Sequence, residues 1–464
     1  MKIAFITLGC KLNFAETATY ERGFRAAGLE VVPWREKADI YLINTCTVTE
    51  TSNSKSRGEI RKVHRINPDA RIIVTGCYAQ MKPDEIRAIP GVSRVFLSTE
   101  KSLVVPETLE SLNAAGLLSP EGLRSLRSLR PLPTYPSRSD DRLSPSGPTP
   151  CPCPGVDRPS GGNTQPASAE ERSTVFGAYS TSERTRAFLK VQDGCDYFCR
   201  YCTIPYARGR SRSIPICEAV KAAEAIAAEG VKEVVITGIN TGDYGRGSSE
   251  SFLQLLKALN EVKGIERWRI SSIEPNLITE EIIDWIASGT KFQPHFHIPL
   301  QQGTDEILAK MGRRYTTAFF AEKISYIRNK MEGPGKPKVF FGFDVMAGLP
   351  GETDELFQQE LAFLEKIRPA FIHIFPYSKR PGTPAATMPG QVPEQVKAER
   401  VKRLEELCDR LHAEFTEQNR GIAEKVLFES KEKDGSMGGY TGNYIRISRP
   451  YDPALVGVLT DIII

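Results

Sequence analysis

The feature that most constrains this chain is Cys195-Asp196-Tyr197-Phe198-Cys199-Arg200-Tyr201-Cys202, three cysteines spaced C-x3-C-x2-C directly after an apolar run at 187–191. A strand running into such a loop sets its thiols at the strand's carboxyl end, where α/β barrels assemble their chemistry. Three close thiolates can hold three irons of a [4Fe-4S] cluster and leave the fourth iron open. An open iron can chelate the amino and carboxylate groups of S-adenosylmethionine, whose reductive cleavage yields a carbon radical. A structural zinc site would want a fourth Cys or His close by, and the next cysteine, Cys217, lies well downstream in a helix pattern. Tyr201, directly before the last cysteine, is placed to pack on the adenine of that cofactor.

The rest of the chain supplies the α/β context. Strand patterns at 2–7, 29–32, 40–44, 72–75 and 95–97 alternate with helix patterns at 16–27, 56–66 and 83–88, which predicts a parallel, helix-covered sheet. Alternation resumes with strands at 187–191, 233–237, 268–273, 295–299, 339–346 and 370–375. Helices are expected between them at 215–229, 251–262, 279–287, 317–330 and 354–367. Six βα units suggest an open or partial barrel. A polar helix at 394–419 then leads to strand patterns at 426–430, 444–449 and 456–464, a small β-domain. Between the two α/β parts, 101–182 is rich in Ser, Pro, Arg and Gly and reads as a mostly disordered insert. The division is therefore 1–100, 101–182, 183–418 and 419–464. Cys151 and Cys153 fall in the insert and read as incidental thiols.

Ten cysteines in 464 residues need a reason, and the sequence excludes some. No apolar stretch is long enough to span a membrane, and the start runs straight into a strand pattern instead of a signal peptide. A cytoplasmic protein is expected, in which metal or cluster ligation is a better default than disulfides. The net charge of +4 permits a nucleic-acid partner without arguing for one. Cys10, Cys46 and Cys77 each fall just past a predicted parallel strand, where open α/β sheets bind ligands. Each alone would read as an ordinary buried thiol, but three at successive strand ends could converge on a second cluster whose open iron binds sulfur.

With these segments read, the chain resembles the methylthiotransferase family of radical-SAM enzymes. Thr7-Leu8-Gly9-Cys10-Lys11-Leu12-Asn13 and Asn44-Thr45-Cys46-Thr47-Val48-Thr49 resemble its first two cysteine motifs. Ile204–Ser213, Ser271–Pro275, His297–Gly303 and Ala347–Glu352 resemble further family stretches. The resemblance implies a flavodoxin-like N-terminal domain, a radical-SAM partial (β/α)6 barrel and a small C-terminal TRAM β-barrel. It also implies two [4Fe-4S] clusters, one held by Cys195, Cys199 and Cys202 and the other by Cys10, Cys46 and Cys77, with S-adenosyl-L-methionine as radical source and methyl donor. Lys11 after the first cysteine, and Val48-Thr49 after the second, look most like the branch that methylthiolates C2 of N6-threonylcarbamoyladenosine at tRNA position 37. The isopentenyladenosine branch more often shows Gln-Met-Asn at the first place and the ribosomal-protein branch Pro-Lys-Asn. Those two substrates are the alternatives within the class; a non-catalytic, zinc- or cluster-stabilised RNA-binding protein is the rival outside it.

Partners implied are a tRNA anticodon loop, an electron donor such as flavodoxin or ferredoxin, and a sulfur source. Smaller signals complete the expected site. Gly238 and Asn240 follow the second barrel strand, where backbone would meet the methionine moiety; Glu274 and Gln301, at later strand ends, could hydrogen-bond the cofactor. Arg208, Arg210 and Arg212 beside the cysteine loop, and Arg446 in the tail, are candidate phosphate contacts, with Arg313 and Arg314 weaker ones. Tyr440 and Tyr444 fit either base stacking or the core of the tail domain. His295 and His297 are expected on opposite faces, His297 toward the barrel site.

Overall fold

The computed structural model describes residues 1–120, 122, 124, 134–136, 174–180 and 185–464. The N-terminal sheet consists of β1 (Lys2–Thr7), β2 (Glu30–Val31), β3 (Ile40–Thr45), β4 (Arg71–Gly76) and β5 (Val92–Val95), all parallel in the order β2-β1-β3-β4-β5. This is the flavodoxin-like order. The central strands are buried on both faces, as β3 shows throughout its length, because helices cover both sides. Helix Glu50–Ile66 is started by Thr49, whose side chain accepts the Ser52 N–H.

The boundary expected at residue 100 is corrected by the structure. Helix Val104–Ala114 buries Val104, Val105, Leu109 and Leu112 against Phe24 and Ile3. The i, i+4 apolar spacing of this helix lies inside a segment whose bulk composition is polar, so composition masked a core element. Short strands β6 (Thr134–Pro136) and β7 (Thr174–Phe176) pair antiparallel, and β8 (Ala178–Ser180) joins the barrel sheet. The expected insert therefore contains ordered pieces. Its middle, with Cys151 and Cys153, lies outside the described residues.

The barrel strands are β9 (Arg186–Lys190), β12 (Glu233–Thr237), β13 (Arg267–Ile270), β14 (His295–Gln301), β15 (Phe340–Ala347) and β16 (Phe371–Pro376), with a two-residue pair, β10 (Gln192–Asp193) and β11 (Arg212–Ser213), clasping the cysteine loop. β9, β12 and β13 are parallel, as are β14, β15 and β16, and a parallel bridge at Trp268 and Phe292 joins the two sets. The six strands form the expected partial barrel, and their apolar side chains make the largest core cluster.

Helix Glu394–Gln418 packs along β16 and delivers the chain to β17 (Ala423–Lys431), β18 (Ser436–Tyr440), β19 (Arg446–Pro450) and β20 (Leu459–Ile463), an antiparallel sheet in the order β19-β18-β17-β20. Its end strands are not paired with each other, so it is a half-barrel. β18 was absent from the sequence reading, because Gly438 and Gly439 interrupt its pattern. Glycine is required at 439, where a Cβ would lie 2.6 Å from the Leu427 carbonyl oxygen. This sheet closes the amino-terminal end of the barrel: Arg269 donates to the Gly442 and Thr441 carbonyls (2.7 and 2.8 Å) and Arg267 to that of Tyr440 (3.1 Å). No helix among the described residues is long and apolar enough to cross a membrane.

Candidate active site with two thiol triads

The loop after β10 is shaped by backbone approach. Gly194 has φ +73°, and a Cβ there would sit 1.9 Å from the Arg210 carbonyl oxygen; the Cys195 N–H then donates to the Gly209 carbonyl (3.0 Å). Cys195, Cys199 and Cys202 follow on one turn, closed by the Cys202 N–H to the Cys199 carbonyl (2.9 Å). Burial pushes the Cys195 and Cys202 thiols up to about 12, so cluster assembly must displace protons from them.

The other triad is brought together by topology. Cys10, Cys46 and Cys77 stand immediately after β1, β3 and β4, neighbours in the sheet. Gly9 (φ +101°) lets the first loop pass over the second: a Cβ there would meet Cys46 Cβ at 2.9 Å and Sγ at 3.0 Å. Gly76 (φ +100°) does the same beside Thr45, whose carbonyl oxygen would be 2.4 Å from an added Cβ. Burial raises the Cys46 and Cys77 thiols.

Arg208 joins the two domains beside the second triad, and here the structure corrects the sequence reading. It is 2% exposed and cannot meet a phosphate. Its Nε–H donates to Cys77 Sγ (3.2 Å), one terminal nitrogen to Asn13 Oδ1 (2.6 Å), and the other to Glu16 and Asp193 (3.2 and 3.0 Å). Arg212 is also buried, held by the Arg208 carbonyl (2.6 Å) and by Asp193 (3.6 Å). Both belong to a buried ionic cluster with Lys101 and Lys190, which reach Glu16 at 2.8 and 2.7 Å. Burial alone would raise the Glu16 carboxyl, but Lys101, Lys190 and Arg208 outweigh it and hold the group ionised; Asp193 is held well below its usual range in the same way. Two carboxylates facing four cations leave excess positive charge beneath the thiols, which favours a thiolate-ligated, anionic group there.

Of the arginine run only Arg210 remains outside, against Asp196 (3.5 Å) and over the Phe198 ring. Arg446 is exposed and paired with Glu432 (2.5 Å) at the cavity rim. Arg313, a weak phosphate candidate, is instead buried at the first triad: it donates to Cys199 Sγ (3.1 Å), the Tyr201 hydroxyl (3.3 Å) and Glu274. Glu274 is thus engaged by Arg313, and burial still lifts its carboxyl above the ordinary range. The Tyr201 ring packs on the cluster of Met311 and Leu349. Arg314 stacks over Tyr197. Gln301 sits at a β-bulge with φ +69°.

Gly238 is needed for a reason the sequence does not display: an added Cβ would meet Gln192 Oε1 at 2.8 Å. Gln192 Oε1 accepts from the Ile239 and Asn240 amides (2.9 and 3.0 Å), and its Nε2 donates to the Gly194 carbonyl (2.8 Å), tying this turn to the cysteine loop. Gln192, Asp193, Lys190 and Glu16 were missed by the sequence reading. For Lys190, Gln192 and Asp193 the available signal was charged and amide residues along an otherwise apolar strand pattern, which cannot stay buried unpaired; Glu16, on helix Lys11–Ala26, carried no such mark.

A cavity of ≈ 850 Å³ runs through the barrel from Gly238 and Ser272 to the half-barrel's Tyr440 and Tyr444, and Cys10 opens onto it. Tyr440 and Tyr444 stack on each other at 4.6 Å with Arg186 over both rings. His295 and His297 both line the cavity, a correction that follows from the pleat, since residues i and i+2 share a strand face. His297 pairs with Asp344 (2.8 Å) and stacks on His373. Buried polar atoms without partners, Asn240 Nδ2, Asp243 Oδ2 and Ser271 Oγ, stand at the ends of β12 and β13, as fits a polar ligand in the barrel mouth. Among the described residues no three His, Cys, Asp or Glu side chains are already drawn to the geometry of a single metal ion. The donors fit iron–sulfur ligation: three thiols each and a nearby cation.

Fold, loop and cavity define a radical-SAM enzyme. The description "Radical SAM superfamily" matches residues 189–364, and "Uncharacterized protein family UPF0004" matches residues 2–98. The radical S-adenosylmethionine methyltransferase TsrM from Kitasatospora setae shares the fold, with a TM-score of 0.52 and 16% identity over 83% of this chain and 77% of that one. A curated relative from Bacillus subtilis, the threonylcarbamoyladenosine tRNA methylthiotransferase MtaB, is 38% identical over 96% of this chain and 89% of its own. The MtaB of Aquifex aeolicus is 34% identical over 97% of both. A tRNA-2-methylthio-N(6)-dimethylallyladenosine synthase from Carboxydothermus hydrogenoformans is 31% identical over 92% of this chain and 88% of its own. The chain belongs to the MtaB-type methylthiotransferase family of radical-SAM enzymes. A [4Fe-4S] cluster and S-adenosylmethionine go with that membership.

Proposed function

We propose that this protein adds a methylthio group to C2 of N6-threonylcarbamoyladenosine at position 37 of tRNA, in the cytoplasm, using two [4Fe-4S] clusters. The observation that carries the reading is the opening of Cys10 onto the same cavity that Gly238 and Ser272 line from the radical-SAM side, so a base held there would lie between Cys10 and the turn after the second barrel strand. In this assignment Cys195, Cys199 and Cys202 hold the cluster that cleaves S-adenosylmethionine, and Cys10, Cys46 and Cys77 hold the second. When bound, the two groups supply a carbon radical able to break an unactivated C–H bond and a sulfur to replace the hydrogen.

The chain's own residues orient and insulate. Arg313 fixes Cys199, Tyr201 and Glu274 relative to one another. Gln192 holds the 238–240 turn against the cysteine loop, and Asn240 Nδ2 is left to donate to the cofactor. Arg208 and its ionic cluster keep the flavodoxin-like domain registered on the barrel. Arg210 and Arg446 remain as contacts for the phosphates of a splayed anticodon loop. An electron donor of the flavodoxin or ferredoxin type and a sulfur source complete the reaction.

Mass spectrometry of tRNA nucleosides from cells lacking the gene tests the reading. It expects loss of the methylthiolated threonylcarbamoyladenosine and accumulation of its precursor. Loss of a methylthiolated isopentenyladenosine instead would overturn it.

A further inference from the structure

The cavity carries a charge that nothing in the described structure neutralises. Lys11, the residue after Cys10, lines it together with Arg186, Arg269 and His297. The other cations there are spent on the protein: Arg269 on Glu233 (2.7 Å), and Arg186 on Glu429 (3.0 Å) and the Tyr444 hydroxyl (3.1 Å). Among the described residues no acidic side chain lines the cavity, and Asp344, the acid beside it, is already held by His297 at 2.8 Å. The Lys11 side chain makes no hydrogen bond or ion pair with any described residue. The neighbouring walls are apolar, formed by Phe14, Phe188, Phe340 and Phe371. A cation so placed costs free energy unless an anion arrives with the ligand.

We infer that the Lys11 ammonium receives the carboxylate of the threonine carried on N6 of the substrate base. This rests on the function proposed above and adds to it the residue that selects among modified adenosines. The cavity, at ≈ 850 Å³, lies within the roughly 300–1,000 Å³ span of small-molecule sites and has room for the base with its substituent. Selection works in both directions. A threonylcarbamoyl group brings the missing anion, whereas an apolar dimethylallyl group would leave the ammonium enclosed and unpaired, a built-in penalty against the wrong substrate.

The test uses the reconstituted full-length protein and two anticodon stem-loop RNAs that differ in one group: N6-threonylcarbamoyladenosine with its free carboxylate, and the same base with that carboxylate as the carboxamide. Fluorescence anisotropy gives Kd for each, methylthiolation is followed by mass spectrometry, and iron content checks that variants are loaded. The wild type should bind the carboxylate RNA about 10- to 100-fold more tightly. Lys11→Met should bring that ratio close to one at unchanged iron content, and Lys11→Arg should keep most of it. Retention of the full preference by Lys11→Met overturns the role of Lys11 and leaves the proposed function standing. A wild type that methylthiolates neither RNA overturns the proposed function itself.

Discussion

Cys195, Cys199 and Cys202 ride on one eight-residue loop, whereas Cys10, Cys46 and Cys77 arrive from the ends of three strands separated by whole helices. The first triad is local: its spacing is set by the chain, and the fold has only to present it. The second exists because β1, β3 and β4 lie side by side and because Gly9 and Gly76 let their loops approach. The surroundings differ too. Beside the first triad Arg313 is matched by Glu274. Beside the second, Arg208 belongs to a cluster with more cations than acids. A local triad needs little from the rest of the molecule, while an assembled one depends on domain packing and on buried charge.

The largest effects should separate the two triads outright. Cys195→Ala should abolish S-adenosylmethionine cleavage. Cys46→Ala should leave cleavage intact, read as 5′-deoxyadenosine by chromatography, yet abolish methylthiolation of tRNA. Product formation by Cys46→Ala would collapse the distinction.

Next in size is Arg208→Met, which strips the shared cation from Cys77, Glu16 and Asp193. Breaking a buried ion network from one side costs roughly 3–5 kcal/mol, visible as a lowered unfolding midpoint in denaturant. Redox titration followed by electron paramagnetic resonance should also show the second cluster's potential falling while the first holds. Equal shifts in both would deny Arg208 its one-sided position, and Arg208→Lys should recover part of each effect.

Gly9→Ala sharpens the contrast at smaller cost. It should weaken only the second triad, through a positive φ worth about 1–3 kcal/mol and a contact at 2.9 Å from Cys46 Cβ. Iron content should fall toward half with S-adenosylmethionine cleavage preserved. The smallest effect is in pH. Glu16 and Asp193 have folded-state pKa values held below their unfolded ones. Their stabilisation is therefore present above the unfolded carboxylate range of about 4 and is lost as pH falls through the lower folded values. Thermal midpoints between neutral pH and about 3 should drop at the acid end, and less so in a Glu16→Gln variant.

Legibility in the sequence followed the same division. The barrel strands at 233–237 and the helix at 354–367 emerged with their observed bounds, because periodic apolar runs of ordinary length have few alternative readings. The C-x3-C-x2-C loop was legible for the same reason, since its information is local. Helix Val104–Ala114 was hidden by the composition of its neighbourhood, and β18 by its glycines. Arg208, Arg212 and Arg313 look like surface charge in one dimension. Only the folded packing, across two domains for Arg208 and within the barrel for Arg212 and Arg313, shows that each faces a carboxylate or a thiol, because burial of a charge is decided by its partners in space.

The central claim, two separate iron–sulfur sites in one chain, is tested most directly by iron and sulfide analysis with Mössbauer spectroscopy of the anaerobically reconstituted protein and of its Cys10→Ala/Cys46→Ala/Cys77→Ala variant. About eight irons per chain are expected in the first and about four in the second, all as [4Fe-4S], with S-adenosylmethionine cleavage kept. The same iron content in both proteins would contradict it.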